Sequence, residues 1–229
     1  TPIQLSAERI KRRFGKQIDE NDRAIFDQCT DTIVRQVGDI GRMVDEFSAF
    51  ARMPKPTKEK SDLRAILKDA AFLREISAAD TKFSTELGDV PLEGMFDARM
   101  LGQAFGNLIK NATEAIEAVE GEKRPGKILV RASFDEANSR FVADIIDNGR
   151  GLPVENRHRI LEPYMTMRDK GTGLGLAIVK KIIEEHGGYL ELHDAPAEFD
   201  HGHGAMIRVL LPYIEAVGSE NNKEAAYGV

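Results

Sequence analysis

Two glycine-containing clusters separated by a polar segment constrain the fold of this chain most strongly. The first, Asp147-Asn-Gly-Arg-Gly-Leu152, follows the β-branched run 140–146, which is typical of a strand. The second, Gly171-Thr-Gly-Leu-Gly-Leu176, opens the helix-like run 177–186. Glycines at a strand exit and a helix entry let the backbone approach a ligand, and free N–H groups at a helix N-terminus favour phosphate. The pattern predicts a nucleotide site with a lid between the clusters.

Spacing excludes two other phosphate-binding motifs. Gly171, Gly173 and Gly175 alternate, so the dinucleotide pattern G-x-G-x-x-G is absent, and a polar stretch rather than a strand precedes them. Neither Gly15-Lys16 nor Gly126-Lys127 is followed by Ser or Thr, as a P-loop requires. The glycines therefore belong to another type of site.

Composition narrows the class of protein. With 229 residues, of which 41% are hydrophobic, the chain can bury a core in one or two domains. Its net charge of −6 provides no general attraction to nucleic acid, and no apolar run approaches the roughly 18 residues that span a bilayer. The single cysteine, Cys29, indicates a reducing compartment, by default the cytoplasm. We interpret it as a small buried hydrophobic residue rather than a redox group.

The N-terminal part of the sequence predicts two amphipathic helices. An apolar stripe over residues 1–14 predicts a short helix, and a second stripe after a polar turn at 16–22 predicts a longer one. The stripe residues are Ile3, Ala7, Ile10 and Phe14, then Phe26, Cys29, Ile33, Val37, Ile40, Val44 and Phe47. Two helices cannot bury both stripes, so we expect a partner hairpin, most simply in a symmetric four-helix dimer.

After a proline-containing linker at 53–60, the pattern alternates between helix and strand periods. Predicted helices cover 63–76, 98–119 and 173–186, and predicted strands cover 81–87, 92–96, 127–134, 141–146, 189–193 and 205–211. Several strands are adjacent in sequence, which favours a mixed, largely antiparallel sheet with helices on one face. The predicted fold is α+β, and its parts are a helical hairpin at 1–52, a two-layer α/β sandwich at 61–214 and a frayed tail at 215–229.

One face of the predicted helix 98–119 is polar in an unusual way. Four polar residues share that face and five apolar residues lie on the other, namely Asn107, Lys110, Asn111 and Glu114 against Phe105, Leu108, Ile109, Ala112 and Ile116. A solvated face of an amphipathic helix is the simplest interpretation. Asparagine, however, is a mediocre helix former, and Gly102 and Gly106 beside the pair add to the cost. Neutral oxygen ligands for a Mg²⁺ ion shared with phosphate would explain the asparagines.

Three segments now stand in order along the chain: Asn107-Leu-Ile-Lys-Asn-Ala-Thr-Glu-Ala115, residues 147–152 and residues 171–176. They resemble the N, G1 and G2 boxes of sensor histidine kinases, members of the ATPase superfamily that includes gyrase, MutL and the heat-shock chaperones. Residues 162–168 resemble the F box in the lid of these kinases, and residues 202–212 resemble their last box. The resemblance extends through residues 1–56 to the NtrY class of nitrogen-regulation sensor kinases. It implies a Bergerat-type ATP-binding fold for the sandwich.

The resemblance also implies roles for individual residues. Asp147 would accept the adenine amino proton, although a turn-capping aspartate is a common alternative before Asn-Gly. Asn111, supported by Asn107, would hold Mg²⁺. The implied catalytic residues are Asn107, Lys110 and Arg168, the last two through phosphate contacts. Further nucleotide contacts are implied for Gly149, Gly151, Tyr164, Thr166, Gly171, Thr172, Gly173, Leu174, Gly175, Leu176 and Ala205.

The reaction implied by the resemblance is transfer of the ATP γ-phosphoryl group to a histidine and then to an aspartate of a response regulator, here an NtrX-like receiver domain. The acceptor pattern H-E-[IV]-K-N-P-L is not in the sequence, and we expect it to precede Thr1. The five histidines lie outside any such pattern: His158, His186, His193, His201 and His203.

The expected molecule is the cytoplasmic portion of an inner-membrane sensor that dimerises through the hairpin and reaches the membrane only through upstream segments. Two alternatives stay open. One is an ATPase or serine kinase of the same fold, which the heptad helix and proline linker disfavour. The other is a dimeric scaffold that uses nucleotide only to hold a docking shape for a regulator.

Overall fold

The computed structural model divides the chain into two compact units, Thr1–Pro54 and Lys55–Val229. It describes residues 2–76, 78, 80–119, 121, 124–165 and 173–214. The predicted tail at 215–229 therefore lies outside the described residues. Within the described part of the chain, no helix combines the length and the apolarity needed to cross a bilayer.

The first unit is a helical hairpin. Helix α1 spans Pro2–Phe14, a 3-10 turn follows at Gly15–Gln17, and helix α2 spans Glu20–Ala51. The second helix thus begins inside the segment 16–22 that was predicted as a turn, because the Asp19 carbonyl already accepts a helical hydrogen bond from a backbone N–H one turn later. An amphipathic pattern locates such a helix well but leaves its first polar turn undefined.

Most of the apolar stripe on the hairpin is exposed in the single chain. Ile3 and Ile40 are 62% and 58% exposed, whereas Ala7 is buried. Cys29, which was predicted as a buried residue of this stripe, is exposed in the single chain like most of the stripe. The buried residue is its neighbour Thr30, whose hydroxyl donates to a carbonyl of its own helix. The contact between the two helices therefore runs along the Thr30 side of α2.

The second unit alternates short strands with three helices. In chain order its elements are β1 (Glu59–Asp62), α3 (Leu63–Glu75), β2 (Thr81–Glu86), β3 (Glu93–Phe96), α4 (Ala98–Glu117), β4 (Gly126–Asp135), β5 (Arg140–Asp147), α5 (Gly175–Glu185), β6 (Tyr189–Asp194) and β7 (Ala205–Pro212). Five strands form one sheet in the order β2-β4-β5-β7-β6. The β2–β4 pair is parallel and the other neighbours in this sheet are antiparallel. The predicted mixed, largely antiparallel sheet is confirmed.

The core lies between this sheet and its helices. Helix α4 contacts both α3 and α5 as well as β4 and β5. The apolar residues that fill the interface are almost fully buried, among them Leu101, Phe105, Leu108, Ile109, Ile128, Val130, Ile145, Ile182 and Val209. Their spacing is 3.6-residue on the helices and alternate on the strands, as two packed layers require.

Two sequence-based predictions need correction in this unit. Residues 59 and 60 were predicted to lie in a linker at 53–60, but they form β1 together with Ser61 and Asp62. This strand pairs with β3 in a separate two-stranded sheet, so the strand predicted at 92–96 does not join the main sheet. The segment Glu-Lys-Ser-Asp has no apolar alternation, and only its pairing with β3 makes it a strand.

Candidate nucleotide site

Helix α4 presents the polar face predicted from the sequence. Its first turn is capped by Asp97, whose carboxylate accepts from the backbone N–H of Met100 at 3.0 Å. The predicted apolar face is buried, apart from the half-buried Ile116. On the opposite face Lys110 is exposed, and three further polar residues are half-buried, namely Asn107, Asn111 and Glu114.

Lys110 is held only loosely on this face. Its Nζ lies 3.7 Å from Glu114 Oε1, and the two side chains are 49% and 35% exposed. An exposed pair one helical turn apart contributes at most about 0.5 kcal/mol. The lysine can therefore leave the glutamate for a stronger anion such as a phosphate.

Asp147 lies at the last position of β5, between the neighbouring strands β4 and β7. It is 5% exposed, and its Oδ1 accepts from the backbone N–H of Gly149 at 2.9 Å. The turn-capping interpretation is thus part of its role. Because side chains alternate along a strand, Asp147 points to the same face as the buried Ile145, which is the helix-covered face. The carboxylate of this capping aspartate therefore also points toward the helices that cover the sheet.

The turn after β5 rests directly on helix α4. A Cβ atom on Gly149 would lie 2.6 Å from the backbone carbonyl carbon of Ala115, so only glycine allows this approach. The backbone N–H of Arg150 donates to the Ala115 carbonyl at 3.2 Å. The first glycine cluster and the polar helix are therefore joined by backbone contact.

The second glycine cluster brings helix α5 to the same place. Gly175 opens α5, and a Cβ atom there would lie 4.0 Å from both side-chain heteroatoms of Asn111. Leu174 is fully buried just before it. The first turn of α5 thus lies next to Asn111 on the polar face of α4, and the free N–H groups of a helix N-terminus are suited to binding phosphate.

A tight contact closes the described ends of the predicted lid. The backbone N–H of Tyr164 donates to the Gly173 carbonyl at 3.1 Å. Gly173 has a φ of +70°, and a Cβ atom on it would lie 2.6 Å from the Tyr164 carbonyl carbon. Glycine is required here both by the backbone angle and by the close approach.

Several predicted site residues in the described part of the chain lie close to one another or to the turn after β5. Four predicted residues lie outside the described residues: Thr166, Arg168, Gly171 and Thr172. Ala205 is buried and is the strand partner of Asp147 across the β5–β7 pair. Gly151, with a φ of +77°, would place a Cβ atom 3.3 Å from the Gly204 carbonyl oxygen. Leu176 is half-buried on the first turn of α5.

Sequence reasoning missed the role of Asn148. This residue is 1% exposed, its Oδ1 accepts from the Lys127 backbone N–H at 2.8 Å, and its Nδ2 donates to the Pro125 carbonyl and to Asp200, each at 3.0 Å. It ties the end of β5 to the start of β4 and to the connection after β6. Nothing in the sequence indicated Asp200, which lies 52 residues away outside any recognised pattern.

A buried histidine holds the far ends of α4 and α5 together. His186 is 2% exposed, its Nε2 accepts from the Asp97 backbone N–H at 3.0 Å, and its Nδ1 lies 2.8 Å from the Ile182 carbonyl oxygen. Because Nε2 accepts, the proton sits on Nδ1 and the ring is neutral. Burial lowers the pKa of His186 and so favours this neutral form.

The donor set fits a magnesium ion only if a ligand completes it. Within the described residues, no group of three or more His, Cys, Asp or Glu side chains is arranged to hold a metal. Asn107, Asn111 and Glu114 offer oxygens at the spacing of successive helical turns. Mg²⁺ is usually bound through a few protein oxygens together with substrate phosphates and water, which matches this partial set.

Comparison with known proteins now identifies the family. Residues 96–215, more than half of the chain, match the family described as histidine kinase-, DNA gyrase B-, and HSP90-like ATPase. The chain belongs to this ATPase family. The matched segment contains α4, the turn after β5 and α5, which together form the site described above.

Individual relatives narrow the resemblance. The sequence is 56% identical to nitrogen regulation protein NtrY of Azorhizobium caulinodans over 211 residues, which are 92% of this chain and 26% of that protein. The chain thus spans about a quarter of the length of this relative. The resemblance to NtrY-class sensor histidine kinases is confirmed.

Solved structures share the fold. The mycobacterial sensor histidine kinase MprB is 26% identical, with a TM-score of 0.59 over 69% of this chain and 98% of that one. Histidine kinase ThkA, in complex with response regulator protein TrrA, is 19% identical, with a TM-score of 0.66 over 93% of this chain and 58% of that one. The predicted order of a helical segment followed by an α/β sandwich is confirmed by this agreement.

Proposed function

We propose that this chain binds ATP with Mg²⁺ and is the catalytic core of a sensor histidine kinase, which transfers the γ-phosphoryl group to a histidine for relay to an aspartate of a response regulator. One observation carries the proposal. This chain belongs to the ATPase family named above. In it, the turn that follows Asp147 rests on Ala115 of α4, and Gly175 opens α5 beside Asn111. A base-reading carboxylate, a metal-binding amide and a helix N-terminus therefore share one site.

The adenine ring is read by Asp147. Its carboxylate is buried on the helix-covered face of the sheet and accepts a hydrogen bond from Gly149, which fixes its orientation. An ionised carboxylate is an acceptor-only group and selects a base that presents an amino group. Ala205 lies opposite Asp147 on β7, where its small side chain leaves room for the ring.

The phosphates lie between α4 and the start of α5. The backbone N–H groups from Gly173 to Leu176 donate to phosphate oxygens, and the positive end of the helix dipole favours the same charge. Lys110 leaves Glu114 to neutralise a terminal phosphate, and Arg168 adds a second cation from the lid. Asn111, with Asn107, would hold Mg²⁺, which would supply positive charge against the negative charge of the phosphates during transfer. Phosphoryl transfer relies mainly on this positioning and charge stabilisation.

The helical hairpin is the dimerisation element in this proposal. Ile3, Ile40 and Val44 are more than half exposed in the single chain, which leaves an apolar surface for a second hairpin. The four-helix dimer would then hold residues 1–52, with 53–58 as the linker to the sandwich. ThkA binds a response regulator in its complex with TrrA, and we infer a receiver domain, of NtrX type, as the partner of this chain. We further propose that the chain is the cytoplasmic portion of an inner-membrane sensor, as the resemblance to sensor histidine kinases implies.

Calorimetry tests the nucleotide proposal. ADP and ATP are titrated into the chain with Mg²⁺ and again with excess EDTA, and GTP serves as the matched ligand without an amino group at the position that Asp147 reads. We expect both adenine nucleotides to bind, more weakly without the metal, and GTP to bind more weakly than ATP. No heat with any nucleotide at millimolar concentration would refute the proposal.

A further inference from the structure

The connection between β6 and β7, residues 195–204, lies on the sheet face opposite the helices. Ala195 and Phe199 of this connection pack against Ile146, Met206 and Leu129. These strand residues alternate with the helix-facing residues of β5, β7 and β4. The β6–β7 connection therefore packs on the sheet face opposite the helices, next to the end of β5 where Asp147 lies.

Asp200 links this connection to the turn after β5. Its side chain is 13% exposed and accepts hydrogen bonds from Lys127 Nζ at 2.5 Å and Asn148 Nδ2 at 3.0 Å. Arg124 Nη1 forms a longer ion pair with the same carboxylate at 3.8 Å. Hydrogen bonds from Lys127 and Asn148 lower the pKa of Asp200, so the carboxylate is held in its charged form.

Asn148 uses its whole side chain in this arrangement. The two hydrogens of Nδ2 are donated to Pro125 and Asp200, and Oδ1 accepts from the backbone N–H of Lys127. Its own backbone N–H donates to the Lys127 carbonyl at 3.2 Å. A buried amide with all its polar hydrogens and its oxygen bonded has one orientation, and this orientation fixes the backbone next to Asp147.

A second contact joins the β6–β7 connection to Asp147 itself. A Cβ atom on Gly204 would lie 1.8 Å from the Asp147 carbonyl oxygen, so the two backbones are in direct contact. Asp200 and His201 have φ values of 45° and 61°, a region that non-glycine residues seldom adopt. Such angles persist where surrounding contacts enforce them, and here the ion pair and the Asn148 bond do so.

We propose that Asp200 is a positioning residue for base recognition: through Asn148 it fixes the turn after β5 and thereby holds the Asp147 carboxylate where it selects an amino-bearing base. The inference rests on the proposed ATP site and adds to it a residue outside the nucleotide contacts. Asp200 reaches the turn after β5 from the sheet face opposite the helices, through its hydrogen bond with Asn148.

The test is nucleotide selectivity in Asp200→Asn. IDP carries an oxygen in place of the adenine amino group and a hydrogen on the adjacent N1, so it differs from ADP only at the base edge that Asp147 reads. The ratio of the two dissociation constants therefore reports recognition of this edge. We expect ADP to weaken about tenfold, the equivalent of 1.4 kcal/mol, while IDP changes much less and the selectivity falls. Glu198→Gln, which changes an exposed carboxylate on the same connection, should keep the wild-type ratio.

Each result decides between the two claims. Wild-type chain that does not distinguish ADP from IDP would contradict base reading by Asp147, and the inference would fall with the proposed function. Wild-type selectivity with an unchanged ratio in a folded Asp200→Asn variant, or equal weakening of both nucleotides, would overturn the inference alone. If thermal melting shows that Asp200→Asn does not fold, Lys127→Gln removes the paired cation and should lower the same ratio; an unchanged ratio in that variant would also overturn it.

Discussion

At the scale of single residues, the proposed site contains buried polar groups, and we expect Asp147 to have a structural and a functional role. Asp147 caps its own turn through Gly149 and is also the only member of the predicted adenine contacts that carries a charge. Water cannot replace a lost partner of such a buried group. If the base does not present a donor, the carboxylate stays unpaired and its full desolvation cost lowers the binding free energy.

The first prediction concerns the Asp147 carboxylate. Asp147→Asn keeps the size of the side chain, and its amide oxygen can still cap the turn. Its NH₂ group would then face the adenine amino group, and two donors cannot form a hydrogen bond with each other. We expect ATP binding to weaken by about 1–3 kcal/mol, as for a buried unpaired polar group. Calorimetry measures the change, with Asp89→Asn on an exposed turn as the control. Equal affinity in wild type and Asp147→Asn would contradict base recognition by this residue.

The second prediction concerns pH and His186. Burial lowers its pKa, and Lys58 acts in the same direction against weaker raising effects from the Ile182 carbonyl, Asp97 and Glu185. With a folded pKa below the unfolded value of about 6.5, the unfolded state binds more protons, so stability is fully present above pH ~6.5 and falls as the pH drops below it. The limiting slope for one proton is about 1.4 kcal/mol per pH unit.

Urea unfolding of wild type and His186→Gln at about pH 7.5 and 5.5 measures this effect. The glutamine amide oxygen can accept from the Asp97 N–H but does not titrate, so the variant should start less stable and lose less stability on acidification. His158→Gln, at an exposed position, should follow the wild-type curve. Parallel pH profiles for wild type and His186→Gln would show that His186 is not the titrating group.

At the scale of elements, the hydrophobic periodicity predicted most of the second unit. The predicted helix 63–76 is Leu63–Glu75, and the predicted strand 189–193 is Tyr189–Asp194, because long apolar patterns with clear stop signals leave little choice. The strand β1 could not be predicted, since its four residues are polar and its formation depends on pairing with β3. Nor could the bond between Asn148 and Asp200, which depends on the path of a loop between two strands.

The candidate site, too, could be predicted from the sequence only in part. The polar stripe of α4 follows from helical spacing, and its asparagines indicate a ligand because they are poor helix formers. The contact between Gly149 and Ala115 is a tertiary feature, visible only once α4 and the turn after β5 are in place. The resemblance to a known family identified the glycine, and the structure supplies the reason for it.

A third prediction compares two glycines of this unit. Gly149→Ala would place a Cβ atom 2.6 Å from the Ala115 carbonyl carbon, so the turn after β5 must move away from α4. Gly102→Ala, within α4, meets nothing within 4 Å and should raise helix stability by up to about 1 kcal/mol. Thermal melting and ADP titration of both variants measure the difference. We expect Gly149→Ala to lose affinity for ADP and Gly102→Ala to keep it; the same affinity in both variants would mean that this turn does not shape the site.

At the scale of the whole molecule, we expect nucleotide binding and phosphoryl acceptance to reside on different residues. The chain contains the segments that bind nucleotide in its family, whereas none of its five histidines lies in an acceptor pattern. His186 is buried and neutral between two helices, and His193 lies 3.0 Å from Glu191 in an edge strand. We therefore expect these two histidines to serve packing and surface contacts rather than phosphoryl acceptance.

The measurement that tests the central claim most directly is transfer of radiolabelled phosphate from ATP to a supplied acceptor. The acceptor is a second chain with the same hairpin, an added H-E-[IV]-K-N-P-L segment ahead of it, and Asp147→Asn to weaken its own nucleotide site. ATP is used well below the dissociation constant of this variant, the acceptor alone must stay unlabelled, and size-exclusion chromatography verifies that mixed dimers form. We predict no acid-labile label on this chain alone and acid-labile label on the acceptor histidine in the mixture. Label on one of the five histidines of this chain, or an unlabelled acceptor within a verified mixed dimer, would contradict the account.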